Sequence, residues 1–288
     1  RAAFAQYVSR SLVERIAANP AAARLGGERR EMTVMFSDIR GFSRIAESLP
    51  PEQLADFLNE YLTPMTAIVL ERDGTLDKYI GDAVMAMWNA PVDVGDHAAR
   101  ACDAALAMQA ALWPLNRAWA ARGKPTIHIG VGINTGPMSV GNMGSEARFD
   151  YTVLGDAVNL AARLEPLTKE YGVDILCGEA TAAAAKGFVF RELGRVRTKG
   201  KDQAARIFEL CGKAGAKGVP EGAAVAAWEN AMAAYHERRF ADAAARFAGI
   251  AAADPADGAA RVLAERARVL ADAPPPPDWD GVYEQRSK

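Results

Sequence analysis

Two apolar runs facing each other across a two-residue turn constrain this chain most. Thr75-Leu-Asp-Lys-Tyr-Ile80 and Ala83-Val-Met-Ala-Met-Trp88 flank Gly81-Asp82, and short strands joined by a Gly-Asp tip read as a β-hairpin. Upstream, the apolar run Met32-Thr-Val-Met-Phe36 delivers Ser37-Asp38-Ile39-Arg40-Gly41-Phe42-Ser43. Asp38 thus leaves a strand end and Asp82 sits on a hairpin tip, both free of the core. If the first strand lies beside the hairpin in one sheet, the two carboxylates meet. They then form a hard, oxygen-rich site suited to Mg²⁺, which fills its other positions with water and phosphate oxygens. Singly, Asp38 reads as a helix cap and Asp82 as a turn filler. Together, with a glycine near each, they favour a metal site.

A chain of 288 residues has room for one sizeable domain plus appendages. Its formal net charge of −2 argues against a nucleic-acid surface as the main business. Cys102, Cys177 and Cys211 are odd in number and widely spaced, which makes neither a disulfide framework nor a zinc set and fits a reducing compartment. His97, His128 and His236 form no ligand-like pair. No apolar run approaches the ~20 residues that cross a bilayer, and no signal peptide is present. The first residue is Arg1 rather than Met, as expected of a fragment.

In chain order, Phe4, Val8, Leu12 and Ile16 recur at helical spacing. Asn19-Pro20 and Gly26-Gly27 end that helix in a hinge. It either pads the domain or pairs with its copy in a dimer. A short helix over 44–48 is stopped by Pro50-Pro51, and a longer one runs from Glu52 toward Leu70 with Phe57, Tyr61 and Met65 inward. A further helix spans 96–119, with Cys102 as a small core residue. Residues 127–133 alternate as a strand, with His128 in a structural role on the face opposite Ile127 and Ile129. This β-α-β-β-α-β order predicts an α+β, ferredoxin-like sheet with helices on one face. The glycine-rich stretch 134–144 reads as a loop or arm.

From Asp156 the pattern is helical, and Asn159 and Arg163, four apart, project from one face. That face fits a solvated surface as well as a site. Then come a strand over 173–177, a short helix over 179–185 and a strand over 188–196. The basic loop Thr198-Lys-Gly-Lys201 precedes a closing strand over 205–210; its lysines suit phosphate oxygens or a plain solvated turn. Past Cys211 a Gly/Ala/Lys linker leads to two short antiparallel helices marked by Trp228, Tyr235, Phe240 and Phe247, and to a third over 259–271. The pair resembles one tetratricopeptide-like unit, too little for a solenoid. After the prolines at 274–277, residues 278–282 form an aromatic anchor for the chain's own core or a partner. The expected division is 1–28 as N-terminal helix and hinge, 29–211 as the main domain and 212–288 as linker and helical extension.

Four motifs in order, FSDIRGFS, DKYIGDAVMA, GINTGPMSVGNMG with DYTVLGDAVNLAARLE, and RTKGKDQAARIFEL, resemble the catalytic domain of class III adenylyl and guanylyl cyclases over about residues 29–210. The resemblance implies a homodimer whose sites span the interface. One subunit gives the metals, through Asp38, Asp82 and the Ile39 carbonyl holding two Mg²⁺ or Mn²⁺ ions per site. The amides of Gly41, Phe42 and Ser43 would cradle phosphates. The other subunit gives Asn159 to orient the ribose, Arg163 to stabilise charge at the α-phosphate, and Lys199, with Lys201 behind it, to meet the phosphates. Lys78 and Thr152 would read the base. In the family a lysine donor at this place reads adenine, where guanylyl cyclases usually carry an acidic residue, so the expected substrate is ATP and the product 3′,5′-cyclic AMP.

The Lys/Thr pair is similar to a bacterial subgroup that often responds to bicarbonate. One departure is Pro137, where animal enzymes carry an arginine in the arm, which shifts phosphate neutralisation toward the lysine loop. The N-terminal helix resembles a transducing segment below a membrane-anchored sensor, which implies a cytoplasmic catalytic domain tethered to the inner membrane. Two other readings stand beside this one: a guanylyl cyclase, and a catalytically silent nucleotide-binding module. A polymerase or diguanylate cyclase would share the palm topology but lack the Asn159/Arg163 helix.

Overall fold

The computed structural model describes residues 25–197 and 204–282. At its centre runs β1 (Gly26–Ile39), in which Met32, Thr33, Val34 and Met35 are all buried. A strand covered on both faces needs apolar side chains at odd and even positions alike, and this run supplies them. β1 pairs antiparallel with β3 (Ala83–Trp88) on one side and β4 (Ile129–Ser145) on the other. β2 (Thr75–Ile80) closes the hairpin onto β3 through the two residues Gly81 and Asp82, with Gly81 at φ 65°, as the sequence predicts. The full order is β2-β3-β1-β4-β6-β8-β7, where β6 is Ile175–Gly178, β7 Phe188–Arg197 and β8 Ala204–Lys213; β5 (Arg148–Leu154) pairs with β4 off this path. The first four strands thus have the expected split β-α-β arrangement, with β3 inserted between β1 and β2.

The expectation of helices on one face holds for the β-α-β-β-α-β unit that ends at residue 133, and the helix that follows it takes the other face. α1 (Phe42–Ser48), α2 (Pro51–Leu70) and α3 (His97–Ala121) follow the predicted spans within a few residues. α2 and α3 cover one face through Phe57, Tyr61, Met65, Ala105 and Met108, packed on Met35, Val84, Trp88, Ile129 and Val131. α4 (Asp156–Tyr171) lies on the opposite face, with Val158 and Ala161 against Met32, Val34, Met85 and Met87. The alternation Ile129-Gly-Val-Gly-Ile133 explains the difference. Ile129, Val131 and Ile133 face α2 and α3, while the glycines leave the other face bare. A Cβ on Gly132 would stand 2.4 Å from the Ala161 carbonyl oxygen, so only glycine lets the backbone of α4 lie on the strand.

The stretch 134–144 also departs from expectation. It is strand rather than loop: β4 continues through it, paired with β1 from Gly26↔Asn142 to Thr33↔Thr135 and with β5 from Ser139↔Leu154 to Ser145↔Arg148. The glycines read as turn formers, and likewise the supposed hinge at Gly26-Gly27, sit inside a ladder where two backbones run close together. A Cβ on Gly141 would meet the Gly26 oxygen at 2.1 Å.

α5 (Glu179–Ala184) follows β6, and beyond β8 the three predicted helices are present as α6 (Ala223–His236), α7 (Phe240–Ala253) and α8 (Gly258–Asp272). They dock on the α4 face. Trp228, Tyr235, Phe247 and Leu263 share a core with Leu164 and Tyr171 of α4 and with Leu176, Leu193 and Ile207 of the sheet. Trp279 packs against Tyr235 and Phe240, and Val282 bridges to Arg195 at the sheet edge. The anchor at 278–282 therefore docks on its own chain. The N-terminal helix expected over 4–18 lies outside the described residues.

A half-hidden ion network fastens the extension to the sheet. The Arg191 guanidinium reaches Glu209 and Asp257, each at 2.5 Å, and lies 4.0 Å from the Trp228 ring centre. Burial raises the Glu209 pKa and Arg191 works against that rise, while hydrogen bonds from Arg191 and the Ala260 amide hold Asp257 below the usual carboxylate range against its own burial. Removing one partner of a buried pair strands the other charge, at a cost of about 3–5 kcal/mol. Arg191→Ala should therefore lower the unfolding free energy by about 3 kcal/mol in denaturant titrations. Arg268→Ala, which breaks exposed pairs on α8, should leave the midpoint in place. Equal midpoints for Arg191→Ala and wild type would show that this network does not hold the extension.

Candidate active site

Asp38 is the last residue but one of β1, on the α4 face by strand alternation. Asp82 occupies the hairpin tip two strands along. Both reach one donor: the Ile39 amide gives hydrogen bonds to Asp38 Oδ1 at 3.0 Å and Asp82 Oδ2 at 3.1 Å. The carboxylates that the sequence could place together only by assumption do converge. Burial, then the hydrogen bond and charge of Asp38, push the Asp82 pKa up to about 7. Two acids on one amide are an incompletely neutralised pair, and such a pair is the donor set a small divalent cation takes up when phosphates and water complete its shell. The residues present thus fit the metal. Among the described residues no cluster of three or more acidic, histidine or cysteine side chains forms a protein-only cage.

Behind the pair lies a third carboxyl that the sequence reading missed. Glu165 of α4 has its Oε1 2.7 Å from where a Cβ on Gly130 would sit, and Gly130 is the ladder partner of Asp38. Its pKa is raised to about 7, first by burial and then by the charge of Asp38, with Arg40 opposing. A signal was available. Glu165 stands two residues from Arg163, on the side of the helix that must face the sheet. An acid there is costly unless something compensates it.

After β1 the chain turns at Gly41, in the left-handed region at φ 71°, and α1 begins at Phe42. The amides of Gly41, Phe42 and Ser43 thus lie at a helix start, three residues past Asp38. Asn159 and Arg163 are exposed on α4, and among the described residues neither side chain has a hydrogen-bond or ion-pair partner. Neither makes a hydrogen bond or ion pair with Asp38 or Asp82 of the same chain. Lys199 and Lys201 lie outside the described residues.

Lys78 of β2 and Thr152 of β5 do meet: Lys78 Nζ lies 3.3 Å from Thr152 Oγ1. Asp77, absent from the sequence-derived site, completes a triad with them. Thr152 Oγ1 donates to Asp77 Oδ2 at 2.6 Å, and Lys78 Nζ stands 3.2 Å from Asp77 Oδ1. Regular alternation would put adjacent Asp77 and Lys78 on opposite faces. The register slips between Leu76 and Lys78, and that bulge, invisible in the sequence, brings them together. Two concavities, of about 540 and 380 Å³, lie elsewhere, lined by none of these residues.

Comparison with known proteins agrees with this geometry. "Adenylate cyclase 1" of Rhizobium meliloti (strain 1021) is 40% identical over 213 residues, 73% of this chain and 32% of that protein. The chain spans about a third of the length of the curated relatives it matches. Among solved structures, the adenylyl cyclase CyaB from P. aeruginosa superposes with a TM-score of 0.61 at 35% identity, over 68% of this chain and all of that one. The guanylyl cyclase Cya2 gives a TM-score of 0.60 at 33% identity, over 69% and all of that chain. Residues 27–210 match the adenylate and guanylate cyclase catalytic domain, so α6–α8 lie beyond the match. With that match covering well over half of its length, and with its paired carboxylates at a sheet end, this chain belongs to the adenylate and guanylate cyclase family.

Proposed function

We propose that this chain is an adenylyl cyclase, converting ATP to 3′,5′-cyclic AMP and pyrophosphate at sites shared between two copies. The observation that carries the choice of base is the Lys78–Thr152–Asp77 cluster. Overall similarity does not decide it, since an adenylyl and a guanylyl cyclase structure match about equally well. An ammonium beside a hydroxyl acceptor complements adenine, whose ring nitrogen accepts and whose amino group donates. The identity to relatives named as adenylate cyclases supports the same reading. A guanylyl cyclase would present the reverse pattern.

Cyclases of this family generally use divalent metal ions. Here Asp38, Asp82 and the Ile39 carbonyl would hold two, Mg²⁺ or Mn²⁺, and when bound these supply activation of the ribose 3′-hydroxyl and neutralisation of the triphosphate. The amides at Gly41, Phe42 and Ser43 would receive terminal phosphate oxygens at the helix start. Asn159 and Arg163, with no hydrogen-bond or ion-pair partner among the described residues, would serve a nucleotide held by the other subunit. Asn159 would orient the ribose, and Arg163 would stabilise charge on the α-phosphate, a preorganised cation whose loss costs about 3 kcal/mol of barrier. Lys199 and Lys201 would add phosphate contacts. We place the catalytic unit at 29–211 with 212–288 as its helical extension, and we propose an upstream sensor that tethers the domain to the cytoplasmic side of the inner membrane.

Complementation tests the shared site. Asp38→Ala and Arg163→Ala chains, each inactive alone, should recover roughly a quarter of wild-type turnover of ATP when mixed. Half of randomly formed dimers are mixed, and one of their two sites is whole. No recovery despite demonstrated mixed dimers would rule out division of the site between subunits. Greater turnover of GTP than of ATP by wild type would overturn the choice of base.

Asp82 gives a pH prediction. Its folded pKa, near 7, lies above the unfolded value near 3.8, so the unfolded chain ionises first. Without divalent cations stability should then fall as pH rises from about 4 to 7, with Glu165 adding to the slope. Mn²⁺ should raise the wild-type melting temperature at pH 8, and Asp82→Asn should flatten the decline and abolish that rise. A wild-type melting temperature that does not fall over this pH range would remove the basis for a strained carboxylate pair.

A further inference from the structure

Lys78 and Thr152 do not by themselves fix which purine is read, because a hydroxyl can turn either way. Threonine carries one hydrogen and two lone pairs on Oγ1. With the hydrogen facing the base it would donate to the guanine carbonyl oxygen; with lone pairs facing the base it would accept from the adenine amino group. The choice belongs to whatever takes the hydrogen.

The structure supplies that group. The Asp77 side chain is fully hidden from solvent. It is placed there by the bulge that leaves it the extra residue between the pairs Leu76↔Ala86 and Lys78↔Met85. Its Oδ2 receives the Thr152 hydroxyl at 2.6 Å. A carboxylate accepts and never donates, so this contact admits only one orientation of the hydroxyl. We propose that Asp77 sets the purine preference by holding the hydrogen of Thr152, which leaves the hydroxyl an acceptor toward the base. It is a positioning residue, acting on the substrate through Thr152 and also flanking the Lys78 ammonium at 3.2 Å.

The chemistry is asymmetric. Adenine then finds a donor in Lys78 for its ring nitrogen and an acceptor in Thr152 for its amino group. Guanine meets the Thr152 lone pairs with its own carbonyl oxygen and the ammonium with a ring N–H. Two mismatched polar contacts in a half-buried site discriminate far more strongly than a difference in shape. Burial raises the Asp77 pKa, and the Thr152 hydroxyl and the Lys78 ammonium both work against that rise. The inference rests on reading the chain as an ATP cyclase.

The test is a double-mutant cycle read as the ratio of kcat/KM for ATP to that for GTP, with Mn²⁺, on wild type, Asp77→Asn, Thr152→Val and the double variant. Asn is close in size and shape to Asp, so the variant should fold, which its melting curve checks. Its amide can donate to Thr152 and release the hydroxyl hydrogen toward the base. The ratio should fall about tenfold or more in Asp77→Asn. In the Thr152→Val background the same substitution should change it little, because no hydroxyl remains to be oriented. If wild type prefers ATP and Asp77→Asn keeps the wild-type ratio, the role of Asp77 falls while the ATP reading stands. An equal drop in both backgrounds would likewise reduce Asp77 to a general structural part. A wild type that prefers GTP defeats both. If wild type turns over neither nucleotide, the ATP reading falls on its own. The ratio of Kd values from displacement of a fluorescent nucleotide by ATP and GTP then decides the Asp77 proposal on the same four proteins, by the same criteria.

Discussion

Two carboxylates sharing one backbone amide set the terms for this end of the molecule. Like charges so close cannot both be ionised cheaply, and nothing local to Asp38 or Asp82 would hold them there. The sheet does. Asp38 is carried by a strand hydrogen-bonded along its length to β4 and over Thr33–Ser37 to β3, while Asp82 is fixed by the tight turn between β2 and β3. Separating the pair would mean unzipping β1 from β3, with Val34, Met35, Met85 and Met87 coming out of two cores. Electrostatic strain is thus stored in a ladder too stiff to relax it, a common way for a site to keep affinity in hand for a cation.

The same economy governs α4. One side of this helix lies on β4 across Gly130 and Gly132, and its far end is held by the C-terminal helices. There Arg266 stacks 4.0 Å over Tyr171, and Gly258 meets Gly172 with no room for a side chain. Gripped on these sides, α4 offers Asn159 and Arg163 to solvent with no hydrogen-bond or ion-pair partner among the described residues. A guanidinium and an amide held out on a rigid helix are preorganised for a ligand that the chain alone does not complete. The extension lies outside the family match yet shares a core with the helix bearing these residues, so its packing and the geometry of the site are mechanically joined.

Much of this was legible before any coordinates. The hairpin strands, the faces of α2 and α3, the three C-terminal helices and the two carboxylates are local matters, settled by period, turn chemistry and residue type. What was misjudged shares a cause. Gly27 and Gly141 look like turn formers because the neighbour that justifies each is more than a hundred positions away. That α4 would cover the other face was not legible, because the bare glycine side of Ile129–Ile133 becomes meaningful only when α4 is laid upon it. Glu165 passed as one more motif residue because its burial depends on a strand read separately.

Residue chemistry and short-range periodicity, then, determined by themselves the hairpin and its turn, the main helices, and that acids, a lysine, an amide and a guanidinium stand clear of the core. Tertiary structure alone decided which of these groups meet. Asp77 shows why. In the sequence it is the neighbour of Lys78 and by alternation faces away from it. A single slipped pairing with β3 turns it toward Thr152, from a strand far along the chain. Register is a property of two strands together, and one strand's residues do not contain it.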